Sequence, residues 1–425
     1  MSRSKPVAIG AIVFAAMSML GGCSATEGGN GASEGRVYLS VPLSGPDRVA
    51  GRDIADGARL ALEQAGGEAG GVEVTLELLD DAGPAGWDAA QVGENARAAT
   101  EDAAGLAYIG DFTSGATRVS LPLTNGAGLL QVSPSASAMD LIREPGTLSD
   151  PNETYAVNGQ RTFVRIVPAD ERQAQAAAEL AERSGLRRVV IANDGSAYGD
   201  VMADAFEERA SELGLGTTDA AGDPLESRRA GEEAPLALDP SDIGSYLAVE
   251  SEDFEPNSSL PSRVTIEPDS LLGPSDRSLA IPSRADAEEG FVRGAPAAVS
   301  GAVFPQQLNA AGEAFAERFE DVYGRKPGRY GAYGYESMAL VLDAIDRAGD
   351  GGARREDIVA AAFDTRDRDS VIGTYSIDGD GETTLEQVGI ALSFGGTRAF
   401  FDGPGARRLP AESSLPELRR QLGQR

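Results

Sequence analysis

Arg36-Val37-Tyr38-Leu39-Ser40-Val41-Pro42 is a β-rich apolar run. Behind it come the turn residues Ser44-Gly45-Pro46 and a helical apolar pattern from Asp53 to Gln64 that stops at Gly66. This order of strand, turn and helix decides the fold class because it recurs. Val72 to Leu79 reads as a strand, Asp88 to Thr100 as a helix, Leu106 to Ile109 as a strand, Ala116 to Thr124 as a helix and Gly128 to Val132 as a short strand. Strands that alternate with helices are joined by crossovers, so neighbouring strands run parallel and both faces of the sheet need helical cover.

A second set follows an irregular stretch from Pro134 to Gln160. It comprises a strand at Phe163 to Val167, a helix at Glu171 to Ser184, a strand at Arg188 to Ala192 and a helix at Asp200 to Leu213. Between Gly222 and Ala297 Pro, Ser, Asp and Glu cluster, and only Ser245 to Val249 and Arg263 to Ile266 read as strands. Periodicity returns with helices at Ala311 to Tyr323, Tyr333 to Arg347 and Arg355 to Phe363, then strands at Gly373 to Ile377 and Val388 to Phe394. Residues after Arg407 read as a charged tail.

The beginning of the chain has a different character. Arg3 and Lys5 precede an apolar run from Val7 to Leu20, the charged and hydrophobic regions of a secretory signal, and the run is short for a membrane span. It ends in Leu20-Gly21-Gly22-Cys23, which resembles the lipobox of bacterial lipoproteins and makes Cys23 the expected site of lipid attachment. The Gly-, Ser- and Glu-rich residues that follow read as a flexible tether. Cys23 is the only cysteine, so no intramolecular disulfide is expected.

With 425 residues and 41% hydrophobic content, the chain can bury more than one core. A formal charge of −30 opposes binding to nucleic acid or to an anionic membrane surface. The chain has no histidine, which removes Ser-His-Asp and Cys-His nucleophilic machinery and histidine metal ligation. Neither lysine, Lys5 or Lys326, lies in a P-loop, and no G-x-G-x-x-G occurs. No cofactor or metal is therefore expected. Asp80-Asp81 and Asp378-Gly-Asp-Gly-Glu382 read as turns, the second lacking the distal glutamate of a calcium loop. Trp87 falls in a loop before a helix, where packing is expected of it.

Several motifs in sequence resemble the type I periplasmic binding proteins of branched-chain amino-acid importers, the leucine/isoleucine/valine-binding family. They are Pro42-Leu-Ser-Gly-Pro46, Leu79-Asp-Asp81, Ile109-Gly-Asp-Phe-Thr-Ser-Gly115, Val132-Ser-Pro-Ser-Ala-Ser137, Asn193-Asp-Gly-Ser-Ala-Tyr-Gly199 and Tyr333-Gly-Tyr-Glu336. The resemblance implies an α/β fold of two doubly wound parallel-sheet lobes joined by three crossing strands, near Arg165, Gly301 and Ile377, with a ligand cleft between the lobes. On that basis residues 1–22 are a signal peptide and 23–35 a tether. Lobe 1 takes 36–164 with 302–377, lobe 2 takes 165–301 with 378–406, and 407–425 is the tail.

For the site, Ser114-Gly115 ends a strand and opens a helix, so its hydroxyl and exposed backbone N–H groups converge as a carboxylate site. The resemblance gives Ser114 the α-carboxylate of an amino acid, with help from Ser135 and Ser137; serines at such places also cap helices. It gives Asp269, in Val264-Thr-Ile-Glu-Pro-Asp269, the ligand ammonium, with Glu267 and Asp276 as neighbouring candidates. Tyr198 is the aromatic that closes over the solute, and Tyr335 a further cleft aromatic that also suits the core. Ala50 stands approximately where branched-chain binders carry an aromatic against the solute side chain.

The function so implied is that of a lipid-anchored, extracytoplasmic substrate-binding protein of an ABC importer. Its partners are a small amino-acid-like solute, permease subunits and the membrane through a lipid on Cys23, with no nucleic acid. The alternatives are a ligand sensor of the same fold and, further off, a histidine-free hydrolase acting through carboxylates.

Overall fold

The computed structural model describes residues 33–84, 86–143, 151–157, 159–183, 188–193, 197–219, 246–249, 278–281, 297–300, 309–349, 354–386, 389–394 and 397–400. Cys23, Asp269, the expected strand at Arg263 to Ile266, the crossing at Gly301 and the tail after Arg407 lie outside them.

The opening run forms β1 (Ser33–Val41), followed by α1 (Arg48–Gln64), β2 (Glu68–Ala69) and β3 (Val72–Asp80). Next come the hairpin β4 (Ala82–Gly83) and β5 (Gly86–Trp87), then α2 (Ala89–Glu101), β6 (Gly105–Ile109), α3 (Ser114–Gly126), β7 (Leu130–Ser133), the short α4 (Pro151–Tyr155) and β8 (Phe163–Arg165). The first sheet has the order β2-β3-β1-β6-β7-β8 and is parallel except at β2. Because β3 and β6 flank β1, the winding reverses there. In open α/β sheets such a reversal leaves a crevice outside the strand C-termini.

Side-chain alternation distributes the core across both faces of this sheet. Val37, Leu39 and Val41 join Ile54 and Leu60 of α1, whereas Tyr38 and Tyr108 turn the other way to Ala96 and Ala99 of α2. Three later helices, α7 (Ala310–Tyr323), α8 (Gly331–Ala348) and α9 (Arg355–Phe363), join the first face through Phe319, Leu340, Ile345 and Ile358. β1 begins at Ser33, so Ser33 to Gly35, expected as the end of the tether, instead pair with Val72 to Val74. α1 begins five residues before the expected Asp53. Its first turn carries the exposed Val49, and the apolar period is broken by Gly51, which is glycine because a Cβ there would meet the Pro42 carbonyl oxygen at 1.9 Å.

The second sheet is entered through α5 (Asp170–Arg183) and contains β9 (Arg188–Asn193), α6 (Ala197–Glu212) and β10 (Gly216–Asp219). It continues with β11 (Tyr246–Val249), β12 (Ser278–Ile281), β13 (Ala297–Ser300), β16 (Gly389–Phe394) and β17 (Thr397–Phe400). The order is β10-β9-β11-β12-β13-β16-β17, parallel through β13 and antiparallel at the last two strands. Ahead of β16 the strand expected at Gly373 to Ile377 is present as β15 (Gly373–Tyr375) with a single bridge from Ile377 to Thr383, and it forms a hairpin with an additional short strand upstream of it, β14 (Arg368–Ser370).

Candidate functional site

Three loops at the C-terminal edge of the first sheet meet around the start of α3. Thr113, in extended conformation, is the N-cap: its Oγ1 accepts from Ala116 N–H at 3.2 Å. Capping by Thr113 leaves Ser114, the first helical residue, free of that task. Ser114 is fully buried, and its Oγ accepts from Ala138 N–H at 3.2 Å, so its own proton remains to be donated. Among the described residues the Ser114 and Gly115 N–H groups have no acceptor, as the first turn of a helix dictates.

Ser135 and Ser137 come from the loop after β7 and are brought to the same place. Ser135 Oγ donates to the Phe112 carbonyl at 2.6 Å, which ties the two loops together and commits its proton. Ser137 is buried, its carbonyl accepts from Asp170 N–H at 3.0 Å, and its hydroxyl has no partner among the described residues. Ser133 supports the loop from below: its Oγ donates to Asp111 O at 3.0 Å and accepts from Ala136 N–H at 2.8 Å. Ala138 is held on both sides, since its carbonyl accepts from Arg165 Nη1 at 2.6 Å. Arg165, fully buried, pairs bidentately with Glu382, its Nε lying 2.8 Å from Oε1.

Beneath the serines lies a buried polar layer. Asp111 is fully buried, accepts from Tyr108 OH at 2.8 Å and from Ser120 Oγ, and is pushed up to about 6 by burial against the pull of those donors. Asp81 is also fully buried, and among the described residues neither carboxyl oxygen has a hydrogen-bond partner. Burial first, and then the charges of Asp111, Asp80 and Asp47, push it up to about 8. Asp80 closes a turn, Oδ1 accepting from Leu43 N–H at 2.8 Å and Ala82 N–H at 3.1 Å. Asp378 Oδ1 likewise accepts from Asp380 and Glu382 N–H, each at 2.9 Å. Among the described residues no His, Cys, Asp or Glu cluster is arranged to hold a metal, and no helix is long and apolar enough to cross a membrane.

Of the other expected residues, Tyr335 does not join the serines. Tyr335 OH donates to Gln64 at 2.6 Å at the far end of α1, and its ring meets Phe315 edge-on at 5.2 Å, a packing position between helices. Tyr198 lies in the first turn of α6, its side chain outside the described residues, as is Asp269. Ala50 is 2% exposed within the core, because α1 already runs at Arg48 and turns that residue inward. Trp87 was expected to serve packing; its indole lies directly on Gly115. The Asp111 layer and the Arg165–Glu382 pair were not anticipated. Arg165 and Glu382 are remote in sequence, whereas Tyr108 and Ser120 lie near Asp111 but reach it only through the turn from β6 into α3; apolar periodicity carries no signal for either group.

Comparison with known proteins supplies an independent line. A family model described as periplasmic binding protein matches residues 36–228 and 284–391. A Leu/Ile/Val-binding protein of Rhizobium johnstonii is 32% identical over 181 residues, 40% of this chain and 42% of that protein, so the alignment spans less than half the relative's length. Among solved structures, an ABC transporter substrate-binding protein from Desulfitobacterium hafniense in complex with Leu shares 19% identity at a TM-score of 0.63, covering 87% of this chain and 100% of that one. A solute binding protein from R. palustris in complex with benzoate shares 17% identity at a TM-score of 0.59, covering 86% and 95%.

Proposed function

Because the chain belongs to the type I periplasmic binding proteins, we propose that it is the solute-binding subunit of an ABC importer, taking a small carboxylate-bearing solute between its two sheets. The observation that carries this reading is the start of α3, where the Ser114 hydroxyl and the Ser114 and Gly115 N–H groups converge with their protons uncommitted. A helix N-terminus favours an anion by roughly 0.3 to 1 kcal/mol, and a hydroxyl donating to a charged oxygen adds about 1.5 to 3 kcal/mol.

In this reading Ser114 and Ser137 donate to the carboxylate, and Ser135 holds the loop. Asp269 takes an ammonium and Tyr198 closes from the second sheet, making the preferred solute an amino acid of the branched-chain type. The lobes are residues 36–164 with 302–377 and 165–301 with 378–406; they close on the solute by a shift between open and closed populations, and no covalent chemistry is involved. Cys23 carries a lipid that holds the protein outside the cytoplasm near its permease. The benzoate-bound neighbour favours a second reading, a carboxylate without an ammonium, which needs Ser114 but not Asp269.

Calorimetric titration of variants tests both. Ser114→Ala should weaken any solute that binds by about tenfold to a hundredfold. Asp269→Ala should weaken amino acids and leave simple carboxylates unaffected. Unchanged affinity in Ser114→Ala would remove the anion site.

A further inference from the structure

We propose that Trp87 is the specificity-determining wall of this site, the surface on which the carbon substituent of the solute lies; the inference rests on the reading of Ser114 and Gly115 as its anion end. α2 and α3 pack side by side, which sets the residue before the α2 N-cap next to the first turn of α3. A Cβ at Gly115 would lie 2.7 Å from Trp87 Cζ2, 3.1 Å from Cε2 and 3.4 Å from Nε1. The indole therefore covers the backbone of the same residue whose N–H is uncommitted. The Nε1–H, a donor only, is among the ring atoms facing that backbone, and has no acceptor among the described residues.

The chain on both sides of Trp87 is fixed. Trp87 pairs with Ala82 across the β4–β5 hairpin, whose Gly83 carbonyl packs against Gly45 in the loop after β1. Asp88 caps α2 by accepting from Gln91 N–H at 2.9 Å. The indole stays half-buried on this support, with part of its surface outside the core. No other aromatic of the described loops is available for the role. Phe112 is buried edge-on against Tyr330 at 5.1 Å, and Ala50 lies in the core with no ring to offer.

A broad apolar face beside an anion cradle selects carboxylic acids with a flat or branched substituent over those with a hydrogen or a methyl group. The solute class is thus aromatic acids and large apolar amino acids, not glycine, alanine or dicarboxylates.

Trp87 is the single tryptophan of the chain, so tryptophan emission reports on this wall alone. The full chain, freed of solute by unfolding and refolding, is titrated with L-leucine, benzoate, L-alanine and acetate, following emission and heat in parallel. Leucine or benzoate should change the emission saturably. Trp87→Ala should weaken the tighter of these about tenfold while Trp87→Phe, which keeps a ring and controls for folding, weakens it less than about threefold. Binding that persists by heat with silent emission, and with Trp87→Ala within about twofold of the parent, overturns the wall and leaves the anion site standing. Absence of heat with all four carboxylates overturns the anion site and the wall together.

Discussion

Asp81 is the residue on which burial and ionisation conflict most directly. In an unfolded chain an aspartate titrates near ~3.9, whereas in the folded protein this one is pushed up to about 8. Between those values the folded state holds a proton that the unfolded state has released. The penalty is absent below the unfolded value and grows as pH rises toward the folded one, so raising pH costs stability. Asparagine has the same shape and no charge to desolvate. Asp81→Asn should therefore flatten the fall of stability with pH by up to about 1.4 kcal/mol per pH unit across that window, read from urea midpoints. The large negative charge of the whole chain produces a slope of the same sign in both proteins, so the difference between them is the quantity that matters. Equal slopes would mean that Asp81 is not buried as described.

At the level of elements, α1 and α8 approach closely enough for backbone to meet backbone. A Cβ on Gly334 would lie 2.1 Å from the Ile54 carbonyl oxygen, and one on Gly57 would lie 2.0 Å from that of Gly331. Alanine is the better helix former by up to about 1 kcal/mol, but a clash with main chain cannot be relieved by a rotamer, and overpacking costs about 1 to 3 kcal/mol. Gly334→Ala should lower the urea midpoint; an equal or higher midpoint would contradict the contact. Elements with alternating or helical apolar period were readable in the sequence, from β1 and β3 through α9, because burial of one face imposes the pattern. The start of α1 was not, since close packing there selects Gly51 against helix propensity. The strand at Gly373 to Ile377 was readable as β15, but its hairpin partner β14 was not, because Arg368-Asp369-Ser370 is charged and polar and carries no apolar alternation. That Ser114 and Ser137 lie close together follows the resemblance of the two motifs that carry them, and the helix start at Ser114 was readable locally; their part in binding a solute is the proposal made above. The place of Trp87 was not readable, because its contact with Gly115 comes from the lateral packing of α2 on α3, which no local pattern encodes.

Over the whole molecule, the chain leaves the first sheet at Arg165 and approaches the end of the second past Glu382, and these two residues are joined by a buried bidentate pair. The Arg165 N–H also donates to the Gly381 carbonyl at 3.1 Å. Through the Ala138 carbonyl the same guanidinium reaches the residue whose N–H donates to Ser114 Oγ, so the connecting segments and the serine loops share one hydrogen-bonded unit. Such a pair stabilises only while both members remain. The proposed function requires this unit to present an anion site to a solute. Thermal unfolding of the full chain, stripped of ligand by refolding, against a panel of amino acids, aromatic acids and amides tests this most directly. At a hundredfold excess over its Kd a bound solute adds about 2.7 kcal/mol, enough to raise the midpoint by several degrees. Large apolar amino acids or aromatic acids should produce such a rise, and Ser114→Ala should lose it. A midpoint that no carboxylate moves would contradict the proposed function.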